Sequence, residues 1–600
     1  MINNEISFVS FNDGIEEIGK NVDENSLKIH IEGLRESSRS FFLSLLVKSI
    51  SKTVVVLTPN HTTGEKLLGD LRYFFNFNKV HKQIRFFPSW EISPYENISP
   101  STVIMGERLE VLHLLQRNKI SLLIVPVDAL LQCVVPRKEL SDQTFCLVTG
   151  GELEREFLET CLLENGFVRF PMVENRGHFS VRGDIVDIYP PASTNPVRIE
   201  FFDNTVDSIR EFDVNTQVSL KKIDKLEILP VRELSPAPVQ KIAGLKKISK
   251  HIEENDVDPV RLKEIIDNIK HLDNFFGLEH LAPFFYSQRE TLFDYLSNES
   301  LIVFDEEDEV NCEVDDYWKV IVKEFDSAYD RGDLVVTPDK LYLSLSELKS
   351  RLSDKKIISI NSLYIESREN VSNLRFNIKR NPPLLGKFEV FAEKIKELEA
   401  EGHKFVVVAP TKGQVKRLHE LAGEYELTID VDKGYLSSGF ISFDLGLTFV
   451  AEHEIFGLSH KYRYRRKSKS TSFQRGFKGL KPGNYLVHVD YGIGSYNGTS
   501  ELETGIGGGE FLTIIYADGE KLYIPMDGLA SIQKYLGSGD VPPQLDKLGG
   551  VSWKKKKNSI KRSIREMAED LLKLYASREI AVGKSYSANS ILMQELSDSF

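Results

Sequence analysis

The stretch Lys481–Leu536 reads KPGNYLVHVDYGIGSYNGTSELETGIGGGEFLTIIYADGEKLYIPMDGLASIQKYL. Its segments YLVHV (485–489), FLTIIY (511–516) and KLYIP (521–525) are rich in β-branched and aromatic residues, a composition typical of β-strands. Glycine-containing segments separate them, and Asp518-Gly519 is a dipeptide that favours a tight hairpin turn. The stretch therefore predicts a small, highly twisted β-barrel. It contains no group of residues arranged for catalysis, so we expect it to act as a binding surface.

The composition of the whole chain is that of a large globular protein. Its 600 residues allow about three to five domains, and the hydrophobic content of 41% is ordinary for such a protein. No apolar run approaches about 18 residues and the first residues lack a signal pattern, so we expect no transmembrane helix and a cytoplasmic location. The four cysteines are widely spaced, which predicts neither disulfides nor a metal site.

Charge is unevenly distributed along the chain. The net charge of −13 argues against a wholly basic nucleic-acid-binding protein. Residues 461–481 and 554–565 are nevertheless basic, so local contacts with phosphates remain open. We interpret residues 459–480 as a basic linker. It is either a solvated tether or a nucleic-acid contact, because its basic residues alternate with aromatic ones.

Residues 27–130 alternate strand and helix patterns, which predicts an open parallel α/β sheet. The first strand-to-helix turn, GLRESSRS from Gly33, has the spacing of a phosphate loop, G-x-x-x-x-G-K-[ST]. Ser38 stands at the second glycine position, where a side chain disfavours positive φ, and Arg39 stands at the lysine position. The wide arginine fork does not replace a compact ammonium group. We therefore interpret Gly33, Ser38, Arg39 and Ser40 as a degenerate phosphate loop that does not bind nucleotide.

An acidic segment, Asp305-Glu306-Glu307, follows a predicted strand and resembles the carboxylate end of a metal-binding strand. Without a working phosphate loop, we expect it to be a solvated acidic loop.

Residues 131–192 are predicted to form a smaller, inserted α+β domain. Arg169, Arg176 and Arg182 can line one face of a half-exposed sheet in this domain. Two interpretations stay open for that face. It is either a solvated strand with structural Arg–Asp pairs or a protein-docking face, since arginine and aromatic residues are enriched at interfaces. The hairpin pattern at 197–212 is placed in the first domain.

The whole chain is predicted to be a multidomain α/β protein. Residues 553–582 carry apolar side chains at helical spacing, which predicts one long helix. The predicted domains are residues 1–130 with 193–380 as the first domain, 131–192 as the inserted domain, 381–458 as a small flavodoxin-like α/β domain, 459–480 as the linker, 481–547 as the barrel and 548–600 as a connecting helix.

Several motifs together resemble the bacterial transcription-repair coupling factors (Mfd). The barrel sequence, followed by KLGGVSWKKKK (547–557), is similar to the RNA-polymerase-interacting domain of that family, which is a CarD/Tudor-like barrel. The motifs FFPSWEISPYE (86–96) and RGDIVDIYPP (182–191) are similar to the stretch that the family shares with the excision subunit UvrB. UvrB has an intact phosphate loop and a DNA-gripping hairpin. This chain has Arg39 and only a short connection after Tyr95, so it departs from UvrB towards the coupling factors.

The resemblance implies two protein partners. UvrA would dock on the inserted domain, where Arg169, Arg176, Phe179 and Arg182 would lie on the docking face. The β subunit of RNA polymerase would bind the barrel, and Leu502, an apolar residue among charged ones, would be a central contact.

The resemblance also implies an activity for a longer protein. Members of the family carry an ATP-driven motor that moves on double-stranded DNA, a helicase-like hydrolase that uses ATP and Mg²⁺. Its phosphate loop, DExx box and arginine finger are absent from this sequence. We therefore expect a fragment of the longer protein that has no catalytic residues, no cofactor and no metal of its own.

Two other functions stay open. The chain could be a UvrB-like excision-repair subunit that binds ATP at residues 33–40, or a transcription regulator of the CarD type.

Overall fold

The computed structural model describes residues 8–21, 28–96, 99–254, 279–362, 372–382, 388–400, 402–457, 483–488, 491–504, 507–525, 532–534 and 545–547. The chain divides into two compact units, Met1–Ser470 and Thr471–Phe600, which are described separately. The predicted basic linker and the predicted helix at 553–582 lie outside the described residues.

The first unit is built on a sheet of seven parallel strands. In spatial order these are β17 (Ser372–Arg375), β1 (Lys28–Glu32), β16 (Lys356–Asn361), β15 (Leu301–Asp305), β2 (Val54–Thr58), β4 (Leu122–Pro126) and β3 (Ile84–Phe86). Strands β2, β4 and β15 are buried along their whole length. Such continuous apolar strands are typical of a parallel sheet that is covered on both faces. The predicted parallel α/β sheet is confirmed.

Helices surround the sheets of this unit. The described helices are α1 (Phe11–Asn21), α2 (Ser38–Ser49), α3 (His61–Phe77), α4 (Thr102–Gln116), α5 (Val127–Leu130), α6 (Arg137–Gln143), α7 (Arg155–Glu164), α8 (Pro238–Glu254), α9 (Ala282–Phe285, after the 3₁₀ turn Glu279–Leu281), α10 (Leu292–Tyr295), α11 (Glu307–Asp330), α12 (Pro338–Leu341), α13 (Leu345–Ser353), α14 (Phe388–Ala400), α15 (Lys412–Glu424) and α16 (Glu452–Phe456). None of the helices in the described ranges combines the length and the apolar content that crossing a bilayer requires.

A six-stranded sheet forms the core of the inserted domain. Its strands, in spatial order, are β12 (Ser219–Ile223), β11 (Thr205–Phe212), β10 (Val197–Phe202), β9 (Ile185–Ile188), β8 (His178–Arg182) and β7 (Val168–Arg169). The hairpin β10–β11 thus belongs to this sheet and not to the first domain, which corrects the predicted end at residue 192. The reason is that β10 pairs antiparallel with β9, so Val197 and Ile199 enter the same core as Ile188.

Two further strand pairs lie outside these sheets, one within the inserted domain and one within the first domain. They join β13 (Lys225–Ile228) to β6 (Phe145–Val148), and β14 (Glu290–Thr291) to β5 (Cys133–Val134).

A third sheet forms the small α/β domain that the sequence predicts. Its strands, in spatial order, are β18 (Ile378–Lys379), β21 (Phe440–Ser442), β22 (Leu447–Ala451), β19 (Lys404–Ala409) and β20 (Ile429–Lys433). This domain packs on α2 and α3. The ring of Phe449 lies 5.8 Å from that of Phe41 and 5.2 Å from that of Phe74, measured between centroids. The two helices are therefore enclosed between two sheets.

The second unit contains a five-stranded antiparallel sheet with its own small core. In spatial order the strands are β26 (Lys521–Pro525), β25 (Gly507–Ile515), β24 (Gly492–Thr504), β23 (Tyr485–His488) and β27 (Ile532–Lys534). Gly507, Gly508 and Gly509, which belong to one of the glycine-containing segments between the predicted strands, are part of β25. Gly492 has φ +84°, and a Cβ atom there would collide with the carboxylate of Asp546, so this position requires glycine.

A buried ion pair anchors the inserted domain to the first domain. The guanidinium of Arg108 in α4 is fully buried and pairs with the carboxylate of Glu233, which follows the last strand of the inserted domain. The same guanidinium donates hydrogen bonds to the Pro88 carbonyl at 2.7 Å and to Gln132 Oε1 at 3.0 Å. Removing one partner of such a buried ion pair strongly destabilises the fold, because the other charge stays buried without a partner.

We predict that Arg108→Ala lowers the free energy of unfolding by about 3–5 kcal/mol, because Glu233 would keep a buried, unpaired charge. Arg351→Ala is the control, since Arg351 makes a half-exposed ion pair with Asp294 and should cost under about 1 kcal/mol. Urea denaturation followed by tryptophan fluorescence measures both. Similar losses for the two variants would contradict the anchoring role.

Candidate functional site

The degenerate phosphate loop between β1 and α2 is closed by its own hydrogen bonds. Gly33 has φ +85° and Glu36 has φ +53°, whereas Ser38 already lies in the helix. The Ser38 N–H donates to the Arg35 carbonyl at 3.1 Å, and the Ser38 hydroxyl donates to the same oxygen at 2.6 Å. A phosphate-binding loop directs such N–H groups at the anion. Here the Ser38 N–H is used within the turn.

The side chain of Arg39 is engaged by the acidic end of β15. Its Nη1 donates to Asp305 Oδ1 at 2.5 Å and to Glu306 Oε1 at 3.3 Å. Asp305 is buried, and Glu306, with φ +62°, also accepts the Ser362 N–H at 3.1 Å. The expectation of a solvated acidic loop is therefore wrong for Asp305 and Glu306, because Arg39 pairs with both.

These residues do not fit ATP with Mg²⁺. A nucleotide site of this class uses a lysine ammonium for the phosphates and free carboxylate oxygens near the metal. In this chain the cation at the lysine position and the carboxylates opposite it bind each other. Among the described residues, no group of three or more His, Cys, Asp or Glu side chains is arranged to hold a metal ion.

The small α/β domain contacts the same loop. The Ser438 hydroxyl donates to Glu36 Oε2 at 2.7 Å, and Arg380 Nε lies 2.6 Å from Glu36 Oε1. Next to it, Asp70 accepts hydrogen bonds from the N–H and the hydroxyl of Ser437, both at 2.6 Å. Burial raises the pKa of Asp70 to about 7, although these hydrogen bonds oppose the rise. The loop is thus held against a neighbouring domain.

The residues predicted for UvrA docking divide into surface and core. Along β8, Arg182 lies on the outer face of the sheet, while Phe179 lies on the opposite face, points into the core and is completely buried. Phe179 therefore cannot contact a partner, which corrects its assignment to a docking face. The Arg182 side chain is 50% exposed, and its Nη2 donates to Asp187 Oδ2 at 2.7 Å.

The outer face contains an arginine that the sequence analysis did not select. Arg198 in β10 binds the same carboxylate of Asp187 as Arg182, through Nε at 2.7 Å and Nη2 at 2.9 Å. The alternation in VRIEFF (197–202) could have identified it, once β10 was assigned to this sheet. Phe170 stacks on His178 of the same face, with ring centroids 3.9 Å apart, and is partly exposed.

The other two predicted arginines lie apart from this pair. Arg169 in β7 pairs with Glu159 of α7 at 2.9 Å. The Arg176 guanidinium lies 5.9 Å from the ring centroid of Tyr189. The structure thus brings Arg182 together with Arg198, and it does not gather the four predicted residues into one cluster.

Leu502, the predicted polymerase contact, lies in a strand. It belongs to β24 and pairs with Gly509 of β25 in the antiparallel register.

Comparison with known families identifies two domain types in the chain. Residues 145–234 match the UvrB interaction domain, and residues 480–536 match the CarD-like/TRCF RID domain. The first match covers the six-stranded sheet through Glu233, beyond the predicted end at residue 192. The second covers the strands of the second unit up to Lys534.

The chain is also similar along nearly its whole length to curated transcription-repair-coupling factors. It is 27% identical to the protein of Myxococcus xanthus over 94% of this chain and 50% of that protein. It is 27% identical to that of Bacillus subtilis over 99% of this chain and 52% of that protein, and 27% identical to that of Staphylococcus haemolyticus over 94% and 50%. The chain spans about half the length of these relatives. The predicted resemblance to this family is confirmed.

Proposed function

We propose that the chain is the docking part of a transcription-repair coupling factor, which binds UvrA through its UvrB interaction domain and the β subunit of RNA polymerase through its CarD-like domain. The observation that carries this proposal is the presence of both domain types on a chain similar end to end to proteins of that name. A UvrB-like ATP-binding subunit is disfavoured by the Arg39 ion pair. A CarD-type regulator does not account for residues 145–234.

We infer that ATP hydrolysis, Mg²⁺ binding and movement on double-stranded DNA belong to the longer protein. In that arrangement residues 381–458 form a small flavodoxin-like domain and residues 481–547 close into a Tudor-like barrel. The connecting helix predicted at 548–600 lies outside the described residues. The protein acts in the cytoplasm, where it displaces a stalled polymerase and recruits UvrA.

The outer face of the six-stranded sheet is the proposed UvrA-docking surface. It carries the half-exposed Arg182 and the largely covered Arg198 around one buried carboxylate, and Phe170 supplies an exposed aromatic side chain in place of Phe179. Arginine and aromatic side chains dominate the binding energy of many interfaces. Arg182 is half exposed and its position is fixed by Asp187. Binding would therefore cost less side-chain conformational entropy than it would for a freely moving arginine.

The edge of the β24–β25 ribbon that carries Leu502 is the proposed polymerase-docking surface. The ribbon is an antiparallel pair with a two-residue connection, from Thr504 to Gly507. An extended ribbon can pair with another strand through its backbone and place alternate side chains on the partner. Leu502 would then be an apolar contact flanked by the charges of Glu501 and Glu503.

We predict that Arg182→Ala weakens UvrA binding about tenfold or more, since truncating a central interface arginine costs more than about 1 kcal/mol. Asp187 keeps its two hydrogen bonds from Arg198, so the sheet should remain folded and polymerase binding should be unchanged. Isothermal titration with UvrA and with polymerase measures both.

Arg331→Ala is the matched control for this variant. Arg331 is likewise a half-exposed arginine paired with a buried aspartate, Asp333, but it follows α11 outside the inserted domain. Equal weakening of UvrA binding by both variants, or no weakening by Arg182→Ala, would contradict the proposed surface.

We predict that Leu502→Arg abolishes detectable polymerase binding, because it places an unpaired charge in the centre of an apolar contact. Leu220→Arg is the control, since Leu220 is an exposed strand leucine of the inserted domain, and it should leave polymerase binding intact. Co-purification with the β subunit is the measurement. Retention of binding by Leu502→Arg would remove this residue from the interface.

A further inference from the structure

A cavity of about 150 Å³ lies where the chain passes between the first domain and the inserted domain. One wall is the segment from Cys133 to Pro136, which precedes the inserted domain, and another is Glu233-Leu234, which ends it. Side chains near α9 and at the end of α12 complete the lining. The cavity therefore touches both segments through which the inserted domain is connected.

Most of the cavity wall is apolar or aromatic. Trp90, Tyr286, Pro283, Val135 and Leu234 all line it. The polar ends of the two aromatic side chains are already bonded, since Trp90 Nε1 donates to Glu233 Oε1 at 3.3 Å and the Tyr286 hydroxyl donates to the Glu233 carbonyl at 3.1 Å. Their rings are left for contact with a ligand. An apolar cavity of roughly this volume accepts a single benzene-sized ring.

The carboxylates of Glu233 and Glu279 line the cavity, and they differ in their ion pairs and hydrogen bonds. Glu233 is neutralised by the fully buried Arg108. Glu279 is 3% exposed and receives hydrogen bonds from its own backbone N–H and from the Ser99 hydroxyl, the latter to Oε2 at 2.9 Å. Its Oε1 is buried and has no hydrogen-bond partner among the described residues. Leaving a buried acceptor unpaired is unfavourable, and a donor group on a ligand would remove that cost.

The charged groups around the cavity leave this carboxylate oxygen without a hydrogen bond, although Arg232 lies close enough to interact with Glu279 through its charge. The Arg289 guanidinium is used by Glu347, at 2.9 Å, and by the Tyr342 carbonyl, at 2.6 Å. Lys340 also lines the cavity, but as a residue it is exposed to solvent. The buried polar atom of the described lining that lacks a hydrogen bond is therefore an acceptor, in a residue that lines a ring-sized apolar space.

We propose that this cavity binds a small molecule with a ring-sized apolar body and an amine head, the head donating to Glu279 and the body lying against Trp90 and Tyr286. The bound molecule would contact both connecting segments at once. Binding would therefore stabilise the junction between the first domain and the inserted domain. This site is separate from the outer face of the sheet and from the degenerate phosphate loop.

Benzylamine is the probe that tests the proposal, and toluene, which has the same ring without the amine, is its matched control. Titration of the full chain, followed by ligand-observed NMR, should give saturable binding of benzylamine with a Kd of about 1 mM or tighter, as expected for so few atoms. Toluene should bind at least about tenfold more weakly. Hydrogen exchange should slow at residues 133–135 and 233–234 when benzylamine is bound.

Two variants locate the binding. Glu279→Gln keeps the shape of the side chain and should weaken benzylamine about tenfold, because an ion pair with the amine becomes a neutral hydrogen bond. Ala282→Phe fills the cavity from another wall, leaves Glu279 in place and should abolish binding. The proposal is overturned if benzylamine does not saturate, if toluene binds equally well, or if either variant binds benzylamine like the unaltered chain.

Discussion

The ion pair between Arg39 and the acidic end of β15 is the interaction on which the proposed function of the first domain depends. It joins the start of α2 to Asp305 and Glu306, at the edge of the parallel sheet where ligands of such folds bind. The cation and the carboxylates that a nucleotide with its metal would need instead satisfy each other. In the proposed function, the parallel sheet therefore serves as a rigid support.

Packing around this support explains how the proposed UvrA-docking face can be held in place. Helices α2 and α3 are enclosed between the parallel sheet and the small α/β domain by contacts such as that of Phe74 with Phe449. The buried pair of Arg108 and Glu233 fixes the inserted domain at its last strand. Because both attachments are buried, the outer face that carries Arg182 is presented by a framework with little freedom to deform.

The sequence predicts the strands of the large sheet well, because continuous apolar runs such as Val54–Thr58 have few alternatives. It does not predict the partner of Arg39, because Asp305 is 266 residues away. The burial of Phe179 was missed for a related reason. Alternation in β8 shows that the strand has two faces. Which face is buried depends on the neighbouring strands β9 and β10, and the sequence-based prediction assigned β10 to another domain. The degenerate loop itself is identified from residue types alone.

The most direct measurement is a calorimetric titration of the chain with ATP in the presence of Mg²⁺. Because Arg39 is paired with Asp305 and Glu306, we predict that ATP does not bind with a Kd tighter than about 1 mM. Cooperative thermal unfolding of the same sample shows that the protein is folded. Binding with a Kd of a few micromolar, about 7 kcal/mol in free energy or more, would contradict the account, because the loop would then be a working nucleotide site.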